Sequence, residues 1–443
     1  MVVAMVRRGG RPDRRPGAPE YLQNLAYLVK PLVMAGLSLA CNSWLIRAET
    51  VSPEPDPLAV VLAAQAGLAE VAERPEHEVQ IRYTRITRDA EGTPGFEVFE
   101  HGVDSGKYFY PASSVKLPAA LVAVEKLRSA GVDGLALDTA MLTGAAHDWQ
   151  AGVDSDPSSA SGLPSIGHYL RKIFLVSDND AYNRLYEFVG ADLLNRALAA
   201  KGHEGVRIFH RLAVRREPWH GRHCNPVRFV DGDRVLYELP ARESKGDYSA
   251  PSPILKGRGH LSGGKRTDLP KDFAELNAFP LRAQQEVLRA LLFPESVPEE
   301  SRFAITANDR RAILRAMGER PRESKFPPYD AATVPDAYTK FLLFGGGRDE
   351  IAPHLRSFGK SGMAYGYLCD NAYLVDFDNG VEFLLAAVVH VNANGIYNDD
   401  HYEYESVGLP FLRDLGRAIY ELELKREREH APDLAPLEHL FTE

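Results

Sequence analysis

A serine and a lysine three residues apart form the clearest chemical pattern in this sequence. Ser113 and Lys116 stand where the aromatic pair 109–110 gives way to the apolar run 117–124, which predicts a helix beginning at the serine. Residues i and i+3 share one face of a helix, so the two side chains can meet. A lysine whose pKa is depressed by burial or by another cation can take the serine proton and make the hydroxyl a nucleophile. The N–H groups at the helix start suit a developing oxyanion.

This pattern is short, so it needs further motifs before it indicates a function. An isolated S-x-x-K also describes an N-cap serine followed one turn later by a surface lysine. The same chain contains a second copy, Ser262 to Lys265, in a glycine-rich loop with no predicted helix to orient it. The residues that accompany Ser113 therefore decide between the two interpretations.

The bulk composition excludes several classes of protein. The chain has 443 residues, of which 44% are hydrophobic and 26% charged, as is typical of a soluble globular protein. Its formal net charge of -9 argues against nucleic acid as a main partner. The three cysteines, Cys41, Cys224 and Cys369, are too few for a disulfide framework or a cysteine-rich zinc site. Cys224 and Cys369 could still form one bridge.

The N-terminal segment 1–48 resembles an export signal. A basic leader rich in arginine precedes the short apolar run 32–41, and small residues follow, the order found in secretory signal peptides. The run is too short for a comfortable membrane span. Residues 37–41 also resemble a bacterial lipoprotein box ending in Cys41, although Ser38 stands where an aliphatic residue is usual. We expect export to the periplasm or attachment to the membrane as a lipoprotein; the alternative is a buried N-terminal helix of a cytoplasmic protein.

The rest of the chain is predicted to hold one catalytic domain. Prolines make 49–57 a linker, 58–424 is the domain, and 425–443 is a charged tail. Strand patterns lie at both ends of the domain, with a mostly helical lobe at about 113–350 that carries an insertion within 202–350. This order predicts an α+β fold in which an antiparallel sheet, flanked by N- and C-terminal helices, carries the inserted lobe. The active site should lie in the cleft between sheet and lobe.

Hydrophobic periodicity and turn signals place the individual elements. Helices are predicted over 58–71, 113–127, 168–176, 181–188, 192–200, 281–293, 308–317 and 410–424, and one is possible over 135–142. Strands are predicted over 78–86, 96–99, 356–362, 372–377 and 381–389, with a further hairpin over 227–239. Asn379 and Gly380 form a strong hairpin signal between the last two strands.

Two more motifs follow the first in a fixed order. Ser177-Asp178-Asn179 lies in a predicted turn between helices, and Lys360-Ser361-Gly362 lies on a late strand. Together with the pattern at Ser113, they resemble the three motifs of active-site serine beta-lactamases and penicillin-binding proteins. The contexts agree as well: helix start, loop between helices, strand. Outside 202–350 the resemblance spans most of the expected mature chain.

This resemblance implies roles for the first two motifs. Ser113 would attack an amide carbonyl and form an acyl-enzyme, and Lys116 would accept its proton. Ser177 would pass a proton to the leaving nitrogen, while Asn179 would bind substrate and hold Lys116 in place. Taken singly, Ser177 and Asn179 could instead be helix caps.

The third motif is expected to bind the substrate. Lys360 would supply positive potential for a substrate carboxylate, and Ser361 a hydrogen bond to it. Gly362 completes the motif. The backbone N–H of Met363, together with that of Ser113, would form the oxyanion hole. Taken alone, Lys360 could be an ordinary charge on an edge strand.

One departure from the family pattern concerns release of the acyl group. Class A beta-lactamases use a glutamate and an asparagine in a loop after the second motif. The comparable acid here is Glu217, but Gly221 occupies the position where the asparagine is expected. Glu217 is therefore a weak candidate for the deacylation base, and a salt bridge with Arg215 or Arg216 is the competing interpretation.

A second group of polar residues, His203, His210, His220 and His223, falls within 202–224. His220 and His223 have i, i+3 spacing, but no paired carboxylates accompany them. We expect solvated loop histidines and no metal site. No cofactor is expected either.

The sequence therefore predicts an exported serine hydrolase that acts on a beta-lactam or a peptidoglycan-like amide. A penicillin-binding D-Ala-D-Ala peptidase or an esterase is the first alternative. A catalytically silent envelope lipoprotein that uses the cleft for binding is the second.

Overall fold

This computed structural model describes residues 55–214 and 218–442, in which helices and strands occur in groups along the chain. The helices are α1 (Pro57–Ala64), α2 (Ala66–Glu73), α3 (Lys116–Ser129), α4 (Ile166–Val176), α5 (Asn179–Val189), α6 (Ala191–Ala200), α7 (Leu281–Leu292), α8 (Ala307–Gly318), α9 (Leu409–Lys425) and α10 (Ala435–Glu438). Cys41, the leader and Glu217 lie outside the described residues.

The strands fall into one large sheet and several small ones. They are β1 (Gln80–Arg88), β2 (Pro94–His101), β3 (Ala140–Thr143), β4 (His223–Cys224), β5 (Val227–Asp231), β6 (Arg234–Leu239), β7 (Arg242–Glu243), β8 (Leu255–Lys256), β9 (Gly259–Ser262), β10 (Lys265–Thr267), β11 (Lys271–Asp272), β12 (Leu355–Gly359), β13 (Gly362–Ala364), β14 (Tyr367–Asp376), β15 (Val381–His390) and β16 (Ile396–Tyr397).

The large sheet joins the two ends of the domain. Its order is β12-β14-β15-β1-β2, with β13 also paired to β14, and the pairs are antiparallel. Gln80 in the first strand lies opposite Val388 near the end of β15. The turn at Asn379 and Gly380 connects β14 to β15, as the sequence predicts. The predicted α+β architecture is confirmed.

Strands β14 and β15 are buried along their whole length because both faces of the sheet are covered. Successive side chains of a strand point to opposite faces. Phe383 and Leu385 therefore pack with α1, α2 and α9 in one core. Leu384, between them, packs in the other core with α3, α4, α5, α7 and α8. The terminal helices and the lobe thus lie on opposite faces of the sheet.

Helix α3 runs through the middle of the lobe. Every residue from Lys116 to Val124 is buried, as expected for a helix that is apolar on all sides. Lys116 is the first residue of this helix and is itself fully buried, so its amine lies in the protein interior. A 3₁₀ turn, Ala112–Val115, precedes the helix and holds Ser113.

Three local predictions are wrong. The segment 58–71 is two helices, α1 and α2, because Gln65 between them is extended. The possible helix over 135–142 is absent: Ala140–Thr143 forms β3 and pairs with β5. The strand predicted over 356–362 is interrupted at Lys360 and Ser361, between β12 and β13.

The hairpin predicted over 227–239 and the helix predicted over 308–317 are confirmed. The hairpin over 227–239 is present as β5 and β6, with a register shift between Phe229 and Val230. Helix α8 begins with a capping box in which Thr306 and Asp309 exchange side chain-to-backbone bonds. Cys224 and Cys369 are buried free thiols, so they form no bridge.

Pro55–Glu443 forms one compact unit. No helix among the described residues combines the length and apolar character needed to cross a membrane.

Candidate active site

Ser113 lies in a strained turn at the edge of a cavity of about 610 Å³. The preceding residue, Ala112, has a positive φ of 47°, which costs energy for any residue with a Cβ. The turn is closed by the Ser114 N–H, which donates to the Pro111 carbonyl at 3.1 Å. Ser113 itself is partly exposed and contributes to the cavity wall.

Strand β13 passes so close to this turn that only glycine fits at its start. A Cβ on Gly362 would lie 2.5 Å from the Pro111 carbonyl oxygen and 2.9 Å from the Ser113 nitrogen. The next residue, Met363, is half exposed and lines the same cavity. The structure therefore brings together the backbone of Ser113 and Met363, the two residues predicted to supply the oxyanion hole.

The amine of Lys116 lies at the buried start of α3 and bonds to the second motif. Its Nζ donates to the Ser177 carbonyl, to Ser177 Oγ at 3.0 Å and to Asn179 Oδ1 at 2.7 Å. The amine has three N–H bonds to donate to these oxygens when it is protonated and two when it is neutral. Asn179 also lines the cavity, so it lies between Lys116 and the space open to a substrate.

The corner at Ser177 results from one helix ending directly before another begins. Helix α4 ends at Ser177, whose φ of 57° is left-handed. Asp178 then caps α5, accepting a bond from the Ala181 N–H at 2.8 Å. This arrangement fixes the Ser177 carbonyl, Ser177 Oγ and Asn179 Oδ1 around a single amine.

The third motif reaches the same hydroxyl from the sheet. Lys360 Nζ donates to Ser177 Oγ at 2.9 Å and to the Ser361 carbonyl at 2.7 Å. Ser177 Oγ thus contacts two lysine amines, one from the lobe and one from the sheet. If its two lone pairs accept one N–H from each amine, its own proton remains available to donate.

Burial of the two amines changes their protonation. Burial lowers the pKa of Lys116 well below its usual value, and the charge of Lys360 lowers it further against the opposing effect of Asp178. Burial also lowers the pKa of Lys360 to about 7, although Asp370 favours its charged form. Near neutral pH a neutral amine is therefore available as a proton acceptor beside Ser177.

Asp370 is the buried counter-charge behind the third motif. It lies on β14 and accepts the N–H groups of Phe341 and Leu342 at 2.9 and 3.0 Å. Burial raises its pKa, while these two bonds and the charge of Lys340 lower it. Lys340 in turn donates to two backbone carbonyls, including that of Ser357 at 2.7 Å.

Ser361 is not among the residues that the structure directs into the cavity. Its side chain is buried and its hydroxyl donates to the Thr339 carbonyl at 2.8 Å. Its contribution here is the backbone carbonyl that holds Lys360. A hydrogen bond from Ser361 to a substrate remains a prediction from the resemblance.

The histidines of the lobe are not simply solvated loop residues. His203 and His210 are buried, and His210 Nε2 accepts the Asn277 N–H at 3.1 Å. Burial lowers the pKa of His203 to about 4. His220 stacks on Trp149 with ring centroids 4.1 Å apart. Within the described residues, no group of three His, Cys, Asp or Glu side chains is arranged to hold a metal ion.

Sequence reasoning missed one wall of the cavity. Its lining residues include Tyr365, Asn398, Asp400, Tyr402 and Tyr404. The last four follow β15 in a tyrosine-rich and acidic stretch, 397–404, and that unusual composition was the available signal.

Backbone strain is concentrated around this cavity. Eight non-glycine residues in the described ranges have a positive φ, and five of them line the cavity: Ala112, Ala213, Tyr365, Asn398 and Asp400. Strained residues persist where the surrounding structure enforces them, and they cluster at functional sites. This distribution independently marks the cavity as the candidate active site.

The comparison with family models agrees with the motifs. Residues 68–248 match the model of the beta-lactamase enzyme family. That range includes Ser113, Lys116, Ser177 and Asn179, whereas the third motif lies beyond it. The predicted resemblance to a beta-lactamase-like serine hydrolase is confirmed. No curated protein matches the chain.

Solved structures that match the chain include beta-lactamases and a penicillin-binding protein. A beta-lactamase from Sphaerobacter thermophilus DSM 20745 is 18% identical, with 83% of this chain and 97% of that chain covered and a TM-score of 0.42. A class A beta-lactamase from Clostridium kluyveri DSM 555 is 12% identical, with 82% and 98% covered and a TM-score of 0.46. PBP-A is 14% identical, with 83% and 96% covered and a TM-score of 0.46.

The contact between Gly362 and the Ser113 turn leads to a test. Gly362→Ala should push the Ser113 turn away from β13 and separate the N–H groups of Ser113 and Met363, since the added Cβ overlaps backbone atoms of that turn. Loss of one oxyanion donor costs about 10² to 10³ in rate. We expect labelling of Ser113 by a fluorophosphonate to slow by about that factor, measured by intact-mass spectrometry.

Gly67→Ala is the matched control, because a Cβ at this helical glycine meets nothing within 4 Å. Thermal melting of both variants shows whether each is folded. Wild-type labelling rates in a folded Gly362→Ala protein would contradict the assigned oxyanion geometry.

Proposed function

We propose that this protein is an exported serine hydrolase that is acylated at Ser113 by a beta-lactam or a related amide. One observation carries the proposal: the buried amines of Lys116 and Lys360 both form hydrogen bonds with Ser177 Oγ, beside the cavity that Ser113 lines. The match of residues 68–248 to the beta-lactamase enzyme family supports the same chemistry.

We propose the following acylation step for these residues. The neutral amine of Lys116 takes the Ser113 proton while Ser113 Oγ forms a bond to the amide carbonyl carbon. The carbonyl oxygen becomes negative against the N–H groups of Ser113 and Met363. The C–N bond breaks as the nitrogen receives the Ser177 proton, which the protonated amine of Lys116 replaces. The product is an ester on Ser113 and a free amine.

Binding of the substrate before this step depends on the third motif. A substrate carboxylate near Lys360 would favour its ammonium form, because an anion within a few ångströms raises the pKa of a lysine. The buried carboxylate of Asp370 acts in the same direction. Lys360 can thus become charged when substrate binds while Lys116 stays neutral.

The residue at position 221 bears on release of the acyl group and favours a second candidate function. Gly221 replaces the asparagine that the resemblance leads one to expect. A Cβ there would lie 2.4 Å from the Phe209 carbonyl oxygen. Since no side chain fits at this position, the usual glutamate–asparagine pair cannot form here. A penicillin-binding D-Ala-D-Ala peptidase, or an esterase, would keep its penicillin adduct for a long time.

Intact-mass spectrometry after short and long exposure to benzylpenicillin tests both functions. We expect a mass increase of one penicillin at the short time, located on Ser113 and absent in Ser113→Ala. Loss of the adduct with release of hydrolysed drug supports the hydrolase, whereas a persistent adduct supports the peptidase.

Ser262→Ala is the matched control, because Ser262 begins the second S-x-x-K of the chain but lies exposed at the end of β9. It should acylate as the wild type does. No adduct with any beta-lactam, in a folded protein, would overturn acylation and leave a silent binding protein.

The charge of Lys360 gives a prediction about pH. Acylation needs neutral Lys116, so the rate falls as the pH falls through the pKa of Lys116. Lys360→Met removes a charge that lowers this pKa, so the acidic limb of the rate profile should move to higher pH. Stopped-flow acylation by benzylpenicillin measures the limb, and exposed Lys265→Met should leave it in place. An unmoved limb in Lys360→Met would argue against Lys116 as the base.

The export part of the proposal is supported by the composition of the N-terminal segment. If Cys41 is the lipidated residue, protein expressed with its leader in a Gram-negative host should incorporate labelled palmitate and fractionate with membranes. Cys41→Ser should abolish the label. Labelled protein in the cytosolic fraction only, or no processing at all, would contradict export.

A further inference from the structure

The chain that follows β15 folds over the cavity of Ser113 and gives it an acidic, aromatic wall. Asn398, Asp400, Tyr402 and Tyr404 all come from this segment and line the cavity. The three catalytic motifs include none of them. Their shared position on one short segment suggests a binding role that the proposed acylation does not itself explain.

Hydrogen bonds from backbone N–H groups to the two tyrosine hydroxyls hold the wall in place. Tyr402 Oη accepts the Asn398 N–H at 2.7 Å, and Tyr404 Oη accepts the Gly366 N–H at 2.7 Å. The rings of Tyr402 and Tyr404 lie 5.2 Å apart between centroids, inclined at 38°. Asn398 and Asp400 have positive φ values of 62° and 59°. Residues kept in such conformations need a structure that enforces them.

The carboxylate of Asp400 is exposed on this wall. Among the described residues no ion pair includes it, whereas its neighbour Asp399 lies 3.7 Å from His401 Nδ1 and accepts a bond from Asn394 at 2.7 Å. The acids that act on the two catalytic lysines are Asp178 and Asp370. The negative charge of Asp400 is therefore not used to neutralise the catalytic amines.

Asp400 does act on the tyrosines beside it. Burial raises the pKa of Tyr402 to about 12, and the charges of Asp399 and Asp400 add to that effect. Burial likewise raises the pKa of Tyr404, with a further contribution from Asp400. The two phenols thus stay neutral at physiological pH and keep electron-rich rings close to a carboxylate.

A carboxylate next to aromatic rings is the combination that binds an organic ammonium group. Ring faces attract cations within about 6 Å, and the carboxylate adds a direct ionic partner. The protein already uses this chemistry nearby: Lys271 Nζ lies 5.1 Å from the ring centroid of Tyr365 and 5.5 Å from that of Phe273. Tyr402 and Tyr404 place two rings of the same kind in the wall of the cavity.

We infer that Asp400, Tyr402 and Tyr404 form a subsite for a cationic group, so that the preferred substrate carries an ammonium as well as the reacting amide. The inference rests on the proposed function for the reacting end of the substrate. The class implied is an aminoacyl beta-lactam, or a peptide amide with a free amine.

Ampicillin and benzylpenicillin test this subsite, because the two drugs differ by one α-amino group. Binding is measured by calorimetry to Ser113→Ala, which cannot be acylated, at a pH below neutral where the amine of ampicillin is protonated. We expect ampicillin to bind about tenfold more tightly than benzylpenicillin. With Asp400→Asn added to Ser113→Ala, the ratio of the two affinities, ampicillin over benzylpenicillin, should fall close to one.

Glu405→Gln is the matched control, since it removes one exposed negative charge five residues further along, outside the cavity lining. Its affinity ratio should equal that of the parent. Equal binding of the two drugs to the parent, or an unchanged ratio in Asp400→Asn, would overturn the subsite.

This design separates the subsite from the proposed function. Acylation of wild-type protein reports on Ser113, whereas the affinity ratio in Ser113→Ala reports only on the wall. A cation preference without any acylation would retain the subsite and reject the hydrolase. Acylation without a cation preference would do the reverse.

Discussion

The hydrogen bonds from two buried lysine amines to one serine oxygen constrain the rest of the site. Two ammonium groups within about 3 Å of one atom, away from water, repel each other and lose their hydration, so the low-energy state has at least one of them neutral. That neutral amine is what a serine nucleophile requires. Lys116 comes from the lobe and Lys360 from the sheet, so the constraint also fixes where these two parts of the fold meet at Ser177.

The neighbouring elements place the two amines and the Ser177 hydroxyl within hydrogen-bond distance. Helix α4 ends in a left-handed residue at Ser177, which lets its carbonyl and hydroxyl face one amine. Lys360 lies between β12 and β13, where its N–H still donates to the Asn371 carbonyl of β14 at 3.0 Å while its side chain reaches Ser177. Gly362 then allows the edge strand to touch the backbone of the Ser113 turn.

Sequence alone could predict the parts of this site that depend on local pattern. Ser113, Lys116, Ser177 and Lys360 stand in short motifs, and the fold class followed from the order of strand and helix patterns. The pairing of strands that are far apart along the chain could not be predicted from local pattern. The segment 135–142 has helical composition, yet Ala140–Thr143 becomes a strand because β5, far along the chain, supplies its partner. The cavity wall after β15 has no periodicity, so only its tyrosines and acids were visible.

The contrast between Gly362 and Gly221 separates the two halves of the reaction. Both glycines touch backbone that a Cβ would strike, at 2.5 Å and 2.4 Å respectively. At Gly362 the close approach brings β13 against the Ser113 turn, and in the proposed function this contact would assemble the N–H groups of the oxyanion hole. At Gly221 it leaves no room for the asparagine that the resemblance leads one to expect. The same packing constraint therefore fits the proposed acylation, and the proposed hydrolysis would have to proceed without this asparagine.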